Sequence, residues 1–425
     1  MLLLQATPGA AQHADPIAVV VLYLAVILIA AKLGGDLATR LGQPAVLGEL
    51  VFGILIGNLP LLGFTALDPI RHDASIDMLS RLGVILLLFE VGLESTVAQM
   101  LRVGWSSLLV AVVGVIFPFV LGWWVGAWLL PHESAYVHAF LGATLTATSV
   151  GITARVLQDL KQSQTGEARI ILGAAVIDDV LGLVILAVVA GIIAAANRGG
   201  TLSYGDILLM VGKAVAFLVG SLALGMTLSR RLFGLASRLR SRGVLLAAGL
   251  SFCFLLSWLA SVVGLAPIVG AFSAGLILED THYREFCEQG EHSLEELVHP
   301  ISSFLVPVFF VLMGMRTDLR SFTQPGVAGL ALALTVVAIV GKQFAGLGVV
   351  TRGVDRITVG IGMIPRGEVG LIFANIGLTL AVAGERIVTD ATFSAVVVMV
   401  VATTLVTPPA LRWRFGRLSG QGQSP

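Results

Sequence analysis

Long apolar runs broken by short polar clusters dominate this chain. Ile17–Ala31, Trp105–Leu130 and Val244–Val263 carry no charged side chain at all. The run from Ile170 to Ala196 is equally apolar except for two adjacent aspartates near its middle. A helix that crosses a bilayer needs roughly 20 apolar residues. Breaking the pattern at glycine, proline and charge clusters predicts helical spans at about 16–35, 43–62, 77–96, 104–130, 136–157, 168–195, 206–233, 243–263, 265–279, 297–317, 326–350, 357–382 and 391–413. The ninth is short and joins the eighth tightly, so a count of twelve stays open beside thirteen. The fold class expected is therefore an all-α integral membrane protein of about thirteen transmembrane helices.

Composition agrees with a lipid solvent. Hydrophobic residues make up 56% of the 425 residues and charged residues 12%, against about 25% charge in a soluble domain. The lipid bilayer is the partner this implies. With 26 basic and 26 acidic side chains there is no basic field to hold nucleic acid. Two cysteines make neither a disulfide framework nor a metal cluster. The 49 glycines suit close helix contacts and interrupted helices. Residues 1–15 lack the basic start of a cleaved signal peptide and read as an extracytoplasmic segment. Residues 416–425 read as a short, disordered cytoplasmic tail. Basic residues sort by loop: Lys32, Arg40, Arg155, Lys161, Arg230 and Arg231 fall on one set, and a sparser group including Arg71, Arg198 and Lys213 on the other. The positive-inside rule then expects the N-terminus outside and the C-terminus in the cytoplasm.

The two halves of the chain resemble each other. An offset of 222 carries Gly48 and Gly53 onto Gly270 and Gly275, and Gly92 onto Gly314. An offset of 219 carries Ser149-Val150-Gly151-Ile152 onto Glu368-Val369-Gly370-Leu371. This predicts a duplicated five-helix unit, spans 2–6 and 9–13. An odd number of helices separates the two starts, so one copy is inverted. Inverted repeats are a mark of transporters, with the site near the midplane where the repeats meet.

The chemistry lies in charges that apolar helices should not carry. Asp178 and Asp179 sit mid-helix, where one carboxylate costs about 2.5–3.5 kcal/mol on insertion scales. Burial and a like-charged neighbour both favour protonation, which brings protons and metal cations into competition. Neighbours on a helix point roughly 100° apart, so one aspartate should face an ion pathway and the other a second partner. Lys342, inside the span after Gly326, needs an acid within reach. Two further stretches, Thr144–Thr153 and Ile364–Gly370, hold the hydroxyls, glycines and proline that interrupted helices use, and both fall on the repeat. Thr148, Ser149, Arg366 and Glu368 are the supporting residues named there. Arg366 and Glu368 either neutralise exposed half-helix ends or pair with each other. Glu90 and Glu94 read as a solvated helix end. Glu49 lies deeper, without an assigned role. The acidic loop Glu279–His299 reads as an amphipathic surface helix.

Three segments in combination, Ala175–Leu183 around the aspartates, Ala147–Leu157 and Pro365–Ile372, resemble the bacterial monovalent cation:proton antiporter-2 (CPA2) family, and most closely its NapA-type sodium/proton antiporters. The likeness covers about residues 16–413. It implies a homodimer in the bacterial inner membrane. Residues 104–195 and 326–413 would form the transport core, 16–100 and 243–317 the scaffold, and 206–236 the linker, with the fifth and twelfth spans broken and crossed. It implies that Asp179 carries the ion and the proton, that Asp178 pairs with Lys342, and that exchange is electrogenic. No cofactor is expected: sodium or lithium ions and protons are cargo. The family also holds potassium/proton exchangers and potassium efflux systems. The latter usually carry an appended nucleotide-binding domain, which is not expected here. An enzyme reading, an intramembrane aspartyl protease, needs two aspartates facing one another from separate helices, and Asp178 and Asp179 are adjacent on one.

Overall fold

The computed structural model describes residues 16–94, 104–162, 164–197, 204–236, 243–278, 292–324, 326–382 and 385–421. Apart from one two-stranded hairpin, the regular structure among them is helical. The helices are α1 (Pro16–Arg40), α2 (Ala45–Gly57), α3 (Ala74–Glu94), α4 (Trp105–Leu129), α5 (Ala135–Thr144), α6 (Val150–Asp159), α7 (Gly166–Asn197), α8 (Tyr204–Ala236), α9 (Val244–Val263), α10 (Pro267–Ile277), α11 (Leu294–Met315), α12 (Val327–Gln343), α13 (Arg356–Gly362), α14 (Gly367–Thr379) and α15 (Asp390–Gln421). Seven of these helices are long and apolar enough to cross a bilayer unaided. The protein is a multi-pass membrane protein.

The chain divides into two compact units, Met1–Gly83 with Ser303–Thr317, and Val84–Ser302 with Asp318–Pro425. In the first, α1 and α2 form a hairpin whose closeness depends on glycine. A Cβ on Gly48 would run into the Gly34 carbonyl, and one on Gly53 into the Val311 carbonyl. Bilayer lipid is as apolar as leucine, so such helices associate through close packing, which small residues permit. Polar contacts close one end of this unit. Arg316 Nη2 meets Asp77 Oδ1 at 2.6 Å, Arg71 donates to the Gly57 carbonyl, and Asn58 Nδ2 donates to the Thr317 carbonyl at 2.8 Å.

In the second unit α4 packs along α5, α7 and α12. Gly341 sits against Pro118 of α4, and a Cβ on Gly114 would lie 3.6 Å from Lys342 Nζ. The fifth expected span is two helices, α5 and α6, separated at 145–149. The twelfth is α13 and α14, separated at 363–366. Gly92 on α3 and Gly275 on α10 meet backbone to backbone: a Cβ on Gly92 would lie 3.0 Å from Gly275 Cα.

Several expectations need correcting. The helix in the second span ends at Gly57, because Asn58 leaves helical geometry and a 3₁₀ turn over Leu59–Leu62 follows, closed by Gly63 at φ 85°. With 13 residues in α2 and 11 in α10, these helices measure about 20 and 16 Å at 1.5 Å per residue. The span after Ile364 stops at Thr379 and gives way to the hairpin Ala381–Val382 with Glu385–Arg386. The tail is helical as far as Gln421. Leu411 and Phe415 are buried with Val156, Leu157 and Ile361, and the Arg417 guanidinium lies 4.2 Å from the Trp413 ring centre. Glu90 is not a solvated end. It is largely covered, accepts a hydrogen bond from Ser302 Oγ at 2.5 Å, and has His299 Nδ1 at 3.6 Å. Most of the acidic loop, 279–291, and the Glu94 side chain lie outside the described residues.

Candidate functional site

Helix α7 carries both aspartates. Its neighbouring positions are small or apolar: Ala174 and Ala175 are fully buried, and Gly182 leaves room for Ala147 and Phe373. Asp178 is 0% exposed and Asp179 is 6% exposed. Lys342 lies in the last turn of α12, where the helix dipole favours a cation. It too is 0% exposed, and its Nζ stands 3.1 Å from each Asp178 carboxylate oxygen. Snorkelling of Lys342 to an interface is therefore excluded by its position. Charges removed from water this fully persist only when paired with good geometry, and here the ammonium divides its hydrogen bonds evenly over the carboxylate.

The two helix breaks meet beside this pair. A break leaves amides and carbonyls without their partners four residues away, and each break supplies what the other lacks. The Ser149 amide donates to the Pro365 carbonyl at 2.8 Å. Thr148 Oγ1 donates to the Met363 carbonyl at 3.3 Å, and Thr153 Oγ1 to the Gly362 carbonyl at 2.7 Å. Thr148 also lies near enough to the Asp178 carboxylate to favour its negative charge. Thr144 and Thr146 instead bond carbonyls in their own chain segment, Phe140 and Ala143. The hydroxyl-rich stretch thus divides into residues that stitch the crossing and residues that serve only their own helix.

Arg366 is fully buried at the same crossing. Its Nη1 donates to the Ala147 carbonyl at 2.8 Å and its Nη2 to the Ala338 carbonyl at 3.2 Å. It therefore places a guanidinium on carbonyls that the first break and α12 present. The Glu368 side chain lies outside the described residues. Gly367 opens α14 at φ 45°, and a Cβ there would sit 2.5 Å from Ser149 Oγ. Gly367→Ala is expected to cost about 1–2 kcal/mol from the left-handed backbone alone, plus the displacement of Ser149. A thermal melt of the purified variant checks this.

Sequence reasoning named Thr148, Ser149, Asp178, Asp179, Lys342 and Arg366, and the structure gathers these residues in one region of the second unit. It did not single out Thr153. The repeating Thr144, Thr146, Thr148 and Thr153 offered no way to tell which hydroxyls turn toward the second break.

The match to known proteins is extensive. Residues 15–414 fit the family model described as sodium/hydrogen exchanger, transmembrane. The chain belongs to this family. It is a cation/proton antiporter rather than an enzyme, and it uses no cofactor. The high-affinity Na⁺/H⁺ antiporter NhaS3 of Synechocystis is 40% identical over 93% of this chain and 90% of its own length. The Na⁺/H⁺-K⁺ antiporter GerN of Bacillus cereus is 36% identical over 92% of this chain and 95% of its own. The exchanger's fold is similar to that of the sodium proton antiporter MjNhaP1 of Methanocaldococcus jannaschii, with a TM-score of 0.68 and 14% identity over 94% of this chain and 97% of that one.

Proposed function

We propose that the exchanger moves sodium against protons by alternating access, electrogenically, with Asp179 as the group that binds the cation and the proton in turn. The observation that carries this reading is the unequal treatment of two adjacent acids. Asp178 is sealed against Lys342, while Asp179 retains some exposure beside the crossing. Deprotonated Asp179 binds a dehydrated cation together with oxygens of the first break around Thr148 and Ser149. Protonation of Asp179 releases it. Lys342 and the cation compete for negative charge at the aspartates, so the Lys342 proton is the second one carried. Lithium is an alternative cargo.

The moving part, in this reading, is the core of residues 104–195 and 326–413. The scaffold is 16–100 and 243–317 with residues 206–236 as linker, and two copies form a homodimer. Thirteen crossings are what the apolar runs give; the loop charges favour an odd number with the N-terminus outside, and both suit a bacterial cytoplasmic membrane. Two glycine contacts support the inverted repeat. Gly53 meets Gly314 in one unit and Gly275 meets Gly92 in the other. The offset of 222 turns the first pair of positions into the second with the partners exchanged. Arg366 and its acceptor Ala147 are themselves 219 residues apart, the offset that aligns the two breaks.

A potassium/proton exchanger is the second reading. The relatives favour keeping it: GerN is described as a Na⁺/H⁺-K⁺ antiporter, and a K⁺/H⁺ antiporter subunit, KhtU of Bacillus subtilis, is 30% identical over 83% of this chain. Proteoliposomes loaded with a pH-sensitive dye and challenged with lithium, sodium, potassium and rubidium in turn decide the matter. Proton flux driven by sodium and lithium but not by potassium is expected. Flux with potassium alone would replace sodium as the cargo, and flux with none would remove the exchange reading.

A further inference from the structure

The half-helix α13 is seven residues long and is held by directional contacts at both ends. At its C-terminal end the Gly362 and Met363 carbonyls take the hydroxyls of Thr153 and Thr148. At its N-terminal end stands Asp355, in the connection before the helix. The Asp355 carboxylate accepts from the Thr358 amide at 2.9 Å and the Thr358 hydroxyl at 2.5 Å. It also takes the Arg414 guanidinium two-pronged, Nε to Oδ2 and Nη2 to Oδ1, both at 2.8 Å. The Asp355 amide donates to Glu167 Oε1 at 2.9 Å. Glu167 lies in the first turn of α7, the aspartate helix, and Arg414 lies on α15. One residue thus ties the start of α13 to two other helices of the site.

Along its length α13 meets its neighbours through apolar contacts. Val359 and Met363 pack with Ile171, Ala174 and Ala175, and Ile361 packs with Leu157 and Leu411. Apolar contact is non-directional and fixes axial position weakly, whereas hydrogen bonds fix it within tenths of an ångström. The Arg414 hydrogen bonds hold the Asp355 carboxyl well below the usual carboxylate range. A depressed folded-state pKa means that the contribution is complete above about pH 4. It is lost only in strong acid, so the anchor is constant wherever the exchanger works.

We propose that Asp355 is a positioning residue for cation binding. It sets the axial position of α13 so that the Gly362 and Met363 carbonyls meet Thr153 and Thr148, and so holds Thr148 beside Asp178. This rests on the exchange reading above. Asp355→Asn tests it, because asparagine still caps the helix but no longer balances the Arg414 charge. Arg414→Gln tests it from the other side and leaves the cap intact. Both variants are expected to raise the apparent KM for the driving cation about tenfold, the scale of losses when an outer-shell partner of an ion site is removed. The maximal rate in proteoliposomes should stay close to wild type, while the melting temperature should fall, because the contacts that depress the Asp355 pKa also stabilise the fold. Arg414→Lys keeps the charge without the planar fork and should fall between. Unchanged cation KM in both variants, whether or not they melt earlier, would make Asp355 an anchor of stability only and overturn the proposal. A wild-type protein that shows no cation-driven proton flux would overturn the exchange reading and this proposal together, which separates the two failures.

Discussion

Asp179→Asn is expected to abolish cation-driven proton flux in a protein that still folds. The substitution keeps the side chain's shape and removes its ability to lose a proton. An amide cannot alternate between a neutral and an anionic form, so it offers neither a charge for the cation nor a site for the proton. Folding should survive. Replacing a carboxylate at that depth in a membrane helix by a neutral group removes an insertion penalty of a few kcal/mol, and Asp178 keeps its contact with Lys342. The loss of flux should exceed the roughly hundredfold that removal of even an outer-shell partner of an ion site can cost. Dye-loaded proteoliposomes measure the flux, and a thermal melt of the same preparation reports the fold. Substantial sodium-driven flux through the variant would remove Asp179 from the mechanism.

Lys342→Ala should produce the largest loss of stability together with a change in the character of transport. The ammonium lies 3.1 Å from both oxygens of a fully buried carboxylate. Removing one member of such a pair typically costs about 3–5 kcal/mol, because the other charge stays buried without compensation. Asp178 relieves that cost by binding a proton. The transport consequence follows from the same change. If the Lys342 proton is the second one carried, any surviving exchange should become insensitive to membrane voltage. Flux measured under a valinomycin-clamped potential separates the outcomes: equal rates at opposite potentials are expected for Lys342→Ala and unequal rates for wild type. Voltage dependence identical to wild type would leave Lys342 a structural residue.

Much of this was legible because a membrane makes polar residues conspicuous. Two aspartates and a lysine inside apolar helices stand out where any charge is costly, and their mutual need for compensation is enough to pair them. The breaks were legible for a related reason. Pro365 with Gly367, and the hydroxyl run through Thr148 and Ser149, break helical patterning in segments otherwise apolar enough to span. Contacts that depend on direction were not legible. Nothing in the order of residues distinguishes Thr146, which bonds Ala143 in its own segment, from Thr148, which reaches Met363. Asp355 was not singled out, since its partners Glu167 and Arg414 lie 188 and 59 residues away. Glu90 looked solvated because a helix end usually is, and only packing against α11 brings Ser302 to it. The end of α2 at Gly57 and the helix running on to Gln421 were missed for local reasons. Asn58 breaks the first, and buried Leu411 and Phe415 extend the second.

The central claim is that one carboxylate, Asp179, exchanges a proton for a cation. Proton release on cation binding tests it most directly. Purified protein in weakly buffered detergent solution is titrated with sodium chloride while the bulk pH is followed, with choline chloride as the ionic-strength control. The account predicts saturable acidification with sodium in the wild type and none in Asp179→Asn. Sodium binding without proton release, or the same release from Asp179→Asn, would contradict it.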